Sequence, residues 1–165
     1  MSDKLYFDVS SKSLNKKNEE LCGDKVEVVR TDDGVILVLS DGLGSGVKAN
    51  ILATLTAKIL ATMTANHLSI RGSVTTLAQT LPVCSVRKLA YSTFTLMQVL
   101  PDWQVYLAQF DNPQAILLRD GKSVEYPTQE LMVGDKRILE SRLTLQSGDV
   151  FLLMTDGVTH AGLGN

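Results

Sequence analysis

The sequence predicts an α+β domain in which helices pack on an antiparallel sheet or sandwich. The first observation is the order of segments, because strand-like runs come first, two helical segments follow, and many strand-like runs come after them. Turn-forming pairs such as Asp-Gly and Asn-Pro separate the later runs, which is typical of antiparallel strands. With 165 residues, 44% of them hydrophobic and 21% charged, the chain is large enough to bury the core of one globular domain.

Three strands are predicted before the first helix. Apolar and polar residues alternate over residues 5–9, which indicates a half-buried strand. Val26 and Val28 alternate with polar residues up to "TDDG", and residues 35–39 form a continuous apolar run. An Asp-Gly turn between two such runs favours a β-hairpin.

Two helices are predicted next. Ser73 is predicted to cap the second, a short helix that ends before Pro82. The first follows the glycine-rich segment "DGLGSG", where apolar residues recur every four positions and predict an amphipathic helix ending near Asn66. The residues of this stripe are Val47, Ile51, Leu55, Ile59 and Met63, with Leu52 and Leu60 beside them.

The later part of the chain is predicted to be mostly strands. From Leu89 onward the runs "AYSTFTLMQVL", "WQVYLAQF" and "AILLRDGK" are separated by short turns, as in a meander. Another strand is predicted over residues 138–145. The last apolar run, "VFLLMTDG", predicts a buried strand that ends in an Asp-Gly pair.

Composition excludes some function classes. The net charge of −2 gives no basic surplus, so nucleic acid is not expected as a partner. Apolar runs such as "VILVL" are far shorter than the roughly 20 residues that cross a bilayer, and the first residues do not resemble a signal peptide, so no membrane association is expected. Cys22 and Cys84 lie in unrelated contexts, which indicates no disulfide framework and suggests a reducing cytoplasm.

The predicted hairpin brings two carboxylates together. Asp24 begins its first strand and Asp41 ends its second, so the two lie within about two rungs, roughly 4.5 to 8 Å apart. Carboxylates at that distance repel each other and need a proton, a basic partner or a cation. If the strand ending at Asp156 reaches the same edge, three carboxylates converge, and the Gly42 carbonyl is free to turn inward. Because oxygen ligands of this kind suit Mg²⁺ or Mn²⁺, the hypothesis is a metal site.

Other interpretations of these residues stay open. Each Asp-Gly pair is by itself a common turn. The segment "GLGSG" is a rival phosphate cradle, although its spacing matches neither the dinucleotide pattern nor the phosphate-loop pattern. His160 can approach the site, but a His in a loop is more often only solvated. Cys22 is interpreted as a small packing residue, and the hydroxyls of Ser40 and Thr155 as partners in backbone or carboxylate hydrogen bonds.

The segments "CGDKVEVV", "VLSDGLGSGVKAN" and "LLMTDGV" resemble, in this order, motifs of the metal-dependent serine/threonine protein phosphatases. They resemble in particular the bacterial branch that includes the sporulation stage II E phosphatase and the stressosome feedback phosphatase. The resemblance implies a four-layer α-β-β-α sandwich, in which helices flank two antiparallel sheets. It also implies a centre of two Mn²⁺ or Mg²⁺ ions, with Asp41 as the bridging ligand, the Gly42 carbonyl, Asp156, and Asp24 bound directly or one layer further out.

The same resemblance implies a function. Asp41 and Asp24 would be the catalytic residues, and a water activated by the two ions would hydrolyse phosphoserine or phosphothreonine without a covalent intermediate. The implied substrate is a phosphorylated cytoplasmic regulatory protein, either an anti-sigma factor antagonist or a stressosome-type domain. Family members continue past the "TDG" strand with further helices and a closing strand that carries another metal aspartate. Residues 1–165 are therefore expected to form a single phosphatase-like domain that lacks its C-terminal helix and closing strand.

Two alternatives to a phosphatase follow from the same residues. The first is a catalytically weak regulatory or binding domain of the same fold, which grips a partner while its metal site is incomplete. The second is a nucleotide-binding module built on "GLGSG", which would bind its ligand without a cation.

Overall fold

The structure is a computed structural model that describes residues 6–32, 34–80 and 92–161. In these ranges the strands are β1 (Asp24–Thr31), β2 (Gly34–Asp41), β3 (Thr93–Val99), β4 (Gln104–Phe110), β5 (Ile116–Arg119), β6 (Lys122–Val124), β7 (Gln129–Val133), β8 (Lys136–Thr144) and β9 (Val150–Leu152). The helices are α1 (Gly46–Ala65), α2 (Ile70–Thr80) and α3 (Asp156–Thr159). None of these three helices combines the length and the hydropathy that a bilayer crossing requires.

The strands form two antiparallel sheets, which confirms the predicted α+β class. The larger sheet has six strands in the order β1-β2-β3-β4-β8-β7, and the smaller has three in the order β6-β5-β9. The predicted hairpin is β1 and β2, with Thr31 opposite Gly34 at its turn. β1 therefore forms one edge of the larger sheet.

Both faces of the larger sheet are covered. On one face Ile36 and Val38 pack in a cluster with Leu60 of α1. On the other face Leu37 belongs to a second cluster, which includes Phe151 of the smaller sheet. Because β2 is buried on both faces, its sequence is a continuous apolar run and does not alternate.

Helix α1 was predicted, but it buries a different face from the predicted one. Val47, Ile51 and Leu55 are 60%, 51% and 41% exposed, so the prediction that they face the core is wrong. Small side chains dominate the buried face, with Leu60 as its one large aliphatic residue, and they let the helix approach the sheet closely. The buried residues are Ala49, Ala53, Thr56, Ala57, Leu60, Ala61 and Thr64.

Helix α2 begins earlier than the sequence predicted. The Oγ of Ser69 accepts a hydrogen bond from the Gly72 amide at 3.1 Å, so Ser69 caps the helix. Ser73, the predicted cap, lies inside the helix, where its Oγ donates to the Ser69 carbonyl at 2.9 Å. The prediction failed because a serine within a helix can bind the carbonyl one turn back as readily as it caps an amide. Pro82 lies outside the described residues.

The strand predicted over residues 5–9 is wrong for the part that the structure describes. Residues 6–10 join neither sheet. Phe7 and Val9 nevertheless pack against the cluster between the two sheets. The alternation of apolar and polar residues therefore reflects that every second side chain is partly buried, although this segment pairs with no strand.

Most strands predicted from β3 onward are present, but the predicted meander is wrong. β4 pairs with β8, and the next strand in sequence, β5, belongs to the smaller sheet. Short turns between apolar runs indicate strands, whereas their division between two sheets depends on packing.

β3, β4 and β5 fall within the three predicted runs, whereas β6 starts at the last residue of the third run and extends beyond it. β8 covers most of the strand predicted over residues 138–145, and β9 begins the last run. β7 was not predicted, because it is an edge strand whose residues are mostly exposed and show no clear alternation. Residues 89–91, where the first of these runs begins, lie outside the described ranges.

Candidate metal centre

The hairpin places Asp24 and Asp41 directly opposite each other. Asp24 is the first residue of β1 and Asp41 the last residue of β2, and the register pairs them. Directly opposed residues have side chains on the same face of a sheet, with Cβ atoms about 4.5–5.5 Å apart. The local hairpin is therefore sufficient to create an acidic pair.

Asp156 joins this pair from the smaller sheet. Residues 153–155 lead from β9 to α3, and Asp156 is the first residue of α3. The carboxyl of Asp41 is within hydrogen-bonding reach of both Asp156 and Asp24. The structure thus brings together the three carboxylates that the sequence analysis selected.

The pKa of the Asp41 carboxyl is strongly raised. Burial is the largest cause that raises the pKa of Asp41 from 3.8 to about 7, followed by the contact with Asp156 and the charge of Asp24. Among the described residues, no Lys, Arg or His forms an ion pair with any of the three carboxylates. A carboxyl in such a setting keeps its proton unless a cation takes its place.

Thr155 connects the acidic pair to the smaller sheet. Its Oγ1 donates to Asp24 Oδ2 at 2.9 Å, and Thr155 is only 4% exposed. The hydroxyl of Ser40 likewise donates to the Thr93 carbonyl at 3.2 Å. Both hydroxyls therefore make the carboxylate or backbone hydrogen bonds that the sequence analysis predicted for them.

Gly42 lies at a point where the chain passes very close to α1. Its amide donates to the Gly23 carbonyl at 2.8 Å. A Cβ at this position would lie 1.9 Å from the Ala49 carbonyl oxygen, so only glycine fits. Gly42 is thus packed between the start of β1 and the first turn of α1, directly after Asp41.

The glycine-rich loop leads into a helix end that the chain itself caps. Gly44 and Gly46 have φ angles of +94° and +69°, a conformation that favours glycine. Ser45 makes no side-chain capping bond. Instead Glu19 Oε2 accepts from the Gly46 amide at 3.0 Å. A carboxylate of this chain therefore already lies where a phosphate cradle would place its anion.

Three polar residues near the centre were not predicted. Glu19 reaches its partner across 27 residues, and Asn50 Nδ2 donates to the Cys22 carbonyl across 28 residues at 2.8 Å. Asn112, in the connection between β4 and β5, accepts from Thr93 Oγ1 at 2.6 Å. Each contact joins segments that are distant in sequence, so no local pattern could have indicated it.

His160 and Cys22 both lie beside the proposed ligands. The Nδ1 atom of His160 is 2.9 Å from the Asp156 carbonyl oxygen, and its ring is exposed. Cys22 Sγ accepts from the Asp24 amide at 3.4 Å, in agreement with a packing role. Cys84 lies outside the described residues.

The donor atoms fit a hard divalent cation in their chemistry. Three carboxylates that form no ion pair with a basic side chain in the described ranges supply oxygen ligands and negative charge, which Mg²⁺ and Mn²⁺ prefer. In the described ranges, however, no three His, Cys, Asp or Glu side chains form a complete ligand set for one ion. Binding would therefore require the carboxylates to draw closer and other oxygen ligands to contribute.

The carboxylates face an open groove. The groove has a volume of about 2020 Å³, and Asp24, Asp41 and Asp156 all line it. Residues 6–16 line it as well, together with Phe151 of the smaller sheet. The centre is thus accessible to a ligand as large as a segment of protein chain.

Comparison with known families gives one match. The profile of the family described as Stage II sporulation protein E (SpoIIE) matches residues 31–165. Asp41, Gly42 and Asp156 lie within the matched range, and Asp24 precedes it. No curated protein matches the sequence significantly.

Solved structures share the fold at low sequence identity. The PP2C phosphatase domain of SpoIIE from Bacillus subtilis, with a fragment of its regulatory domain, has a TM-score of 0.71 at 18% identity and is matched over 88% of this chain and 44% of that chain. The RsbU and RsbW domains of Rv1364c from Mycobacterium tuberculosis give 0.69 at 18% identity, over 87% and 42%. RsbX in complex with magnesium gives 0.65 at 22% identity, over 87% and 71%. The chain therefore spans less than half the length of the first two structures.

Proposed function

Because the chain belongs to the Stage II sporulation protein E family, we propose that it is a metal-dependent phosphatase that hydrolyses phosphoserine or phosphothreonine on a regulatory partner protein. The likeness in fold to the PP2C phosphatase domain of SpoIIE and to magnesium-bound RsbX supports this class of activity. The observation that carries the proposal is the carboxyl of Asp41, which faces Asp24 and Asp156 without a basic partner among the described residues.

Each of the proposed ligands has a distinct task in this centre. Asp41, between the other two carboxylates, would bridge two Mn²⁺ or Mg²⁺ ions, and Asp24, Asp156 and the Gly42 carbonyl would complete their protein ligands. When bound, such ions supply an activated water and offset the charge of the phosphoryl oxygens. Thr155 holds Asp24 in place through its hydroxyl.

The proposed partner is a phosphorylated regulatory protein in the cytoplasm. One similar structure comes from a study of the bacterial stressosome, with a TM-score of 0.71, and another contains RsbU and RsbW domains. These likenesses support an anti-sigma factor antagonist or a stressosome-type domain as the substrate. The open groove beside Asp156 offers space for the loop that carries the phosphate.

The experiment that tests the proposal is hydrolysis of p-nitrophenyl phosphate as a function of Mn²⁺ concentration. Asp41→Ala and Asp156→Ala are each expected to lower Mn²⁺-dependent turnover by about 100-fold or more, since each removes an ionic ligand. Asp135→Ala is the matched control, because Asp135 is 87% exposed and pairs only with its neighbour Lys136 in the described structure. Its turnover is expected to stay within about twofold of the wild type.

Two results would contradict the phosphatase proposal. One is turnover that does not depend on a divalent cation. The other is an equal loss in all three variants, because a general loss of folded protein would then explain the effect.

A second candidate function has an observation in its favour. The described residues contain no complete ligand set for one ion, which suits a regulatory or binding domain that is catalytically weak. In that case the wild type shows no Mn²⁺-dependent turnover, and partner binding survives both Asp41→Ala and Asp156→Ala.

The nucleotide-binding alternative has less support. The Gly46 amide already donates a hydrogen bond to Glu19, so a phosphate would have to displace this carboxylate of the chain itself. Nucleotide binding that needs no cation and survives Asp41→Ala would favour this alternative.

A further inference from the structure

We propose that Asn112 is a positioning residue for Asp41, because its side-chain carbonyl holds the hydroxyl proton of Thr93 away from the Asp41 carboxylate. The carboxylate then keeps its lone pairs for a cation. This inference rests on the proposed metal centre, and it assigns a role to the connection between β4 and β5.

Thr93 is the immediate neighbour of Asp41 in the sheet. The register of β2 and β3 places Thr93 opposite Asp41, and the register of β1 and β2 places Asp24 opposite Asp41 on the other side. These three residues therefore form one row across three strands, with their side chains on the same face. At this spacing a threonine hydroxyl is a natural donor to a carboxylate.

The Thr93 hydroxyl donates to Asn112 and not to Asp41. Its Oγ1 lies 2.6 Å from Asn112 Oδ1. A hydroxyl has a single proton to donate, so this bond takes the donor that Asp41 would otherwise receive. Asp41 is left facing two other carboxyls, those of Asp24 and Asp156.

A second contact fixes the orientation of the Asn112 amide. Its Nδ2 donates to Thr95 Oγ1 at 3.1 Å and approaches the Leu39 carbonyl at 3.5 Å. A backbone carbonyl can only accept, so the nitrogen must face Leu39 and the oxygen must face Thr93. The direction of the bond from Thr93 follows from this orientation.

The connection that carries Asn112 is held independently of Asn112. The side chain of Gln109 is buried, and its Oε1 accepts from the Ala115 amide at 2.6 Å, which closes the connection from the end of β4 to the residue before β5. We therefore expect the loop to keep its course when the Asn112 side chain is replaced.

The experiment measures Mn²⁺ affinity of the 165-residue protein by isothermal titration calorimetry. Asn112→Leu keeps the size of the side chain but cannot accept a hydrogen bond, so the Thr93 hydroxyl can turn toward Asp41. Its affinity is expected to fall about tenfold. The double variant Asn112→Leu/Thr93→Val lacks the hydroxyl, and its affinity is expected to return to within about threefold of the wild type. A purely structural role for Asn112 would not produce this rescue.

Each other outcome has a defined meaning. Unchanged affinity in Asn112→Leu, or a double variant no tighter than Asn112→Leu, overturns the inference. If Asn112→Leu does not fold, the Mn²⁺ affinity of Thr93→Val is the deciding measurement. An affinity equal to or tighter than that of the wild type supports the inference. A weaker affinity overturns it. A wild type that binds no Mn²⁺ overturns the proposed function as well, whereas the other failures leave it intact.

Discussion

At the scale of single residues, Asp41 determines the electrostatics of the centre. It is half-buried, and its nearest charged groups are two further carboxyls. Each of these conditions favours the neutral acid, so without a cation Asp41 keeps its proton up to about pH 7. In the proposed metal centre, a proton and a cation would therefore compete for the Asp41 side chain.

The raised pKa of Asp41 makes the stability of the protein depend on pH. The folded pKa of Asp41 is raised from 3.8 to about 7, so between these values the folded state binds more protons than the unfolded state. The contribution of Asp41 to stability is therefore fully present below this window and is lost as pH rises through it. The free energy of unfolding is measured with denaturant and without metal. For the wild type relative to Asp41→Asn, it is expected to fall as pH rises through this window.

The control for this prediction is the same comparison for Asp135→Asn. Asp135 is 87% exposed, so its difference from the wild type is expected to stay nearly constant with pH. A wild type that gains stability over Asp41→Asn as pH rises through the window would contradict the assigned direction.

At the scale of elements, α1 shows that a repeat of apolar residues predicts a helix better than it predicts the buried face. The predicted apolar stripe includes Val47, Ile51 and Leu55, but these residues are exposed. Ala53 and Ala57 are buried instead, since small residues permit a closer approach of helix and sheet. The spacing of apolar residues in the sequence does not indicate how closely the helix approaches the sheet. In the structure this close approach occurs where Gly42 contacts Ala49.

The packing of α1 predicts an unusual order of mutational costs. Ala57→Leu adds volume to a fully buried position and is expected to destabilise the protein by about 1–3 kcal/mol. Ile51→Ser removes an aliphatic side chain from an exposed position and is expected to cost less than about 0.5 kcal/mol. Chemical denaturation of both variants measures the two values. If Ile51→Ser destabilised the protein more than Ala57→Leu, the result would indicate that α1 buries the face that the sequence predicted.

At the scale of the whole molecule, the two sheets meet at the candidate centre. Thr155 follows the smaller sheet and Asp24 begins the larger one, and their hydrogen bond spans 131 residues of sequence. The contact of Asp41 with Asp156 joins the same two parts. The centre therefore depends on how the sheets pack, in addition to the hairpin.

This dependence predicts an energetic coupling between the sheets. Thr155→Val removes a donor to a carboxylate at a buried position, with an expected cost of about 1.5–3 kcal/mol in unfolding free energy. In a double-mutant cycle with Asp24→Ala, the two costs are expected to be non-additive by at least about 0.5 kcal/mol. Thr75→Val, on the exposed side of α2, is the matched control and should be additive with Asp24→Ala. Additive costs for Thr155→Val would contradict a direct link.

The sequence predicted those parts of the centre that depend on neighbouring residues. Asp24 and Asp41 were paired correctly because an Asp-Gly turn and strand alternation are local signals. Asp156 was included only on the condition that its strand reached the same edge, which depends on the packing of two sheets. Asn112 and Glu19 were missed because their partners are far away in sequence, and a polar residue in a turn or loop does not indicate where its side chain points.

The long separation between Asp24 and Thr155 bears on how a newly made chain acquires this arrangement. The hairpin can form as soon as Asp41 has left the ribosome, and two carboxylates then lie side by side without the third. Asp156 emerges only after β1 to β9 have been synthesised. In the proposed metal centre, an ion would bind only after this slow, non-local closure, so it would not guide the earlier collapse of the chain.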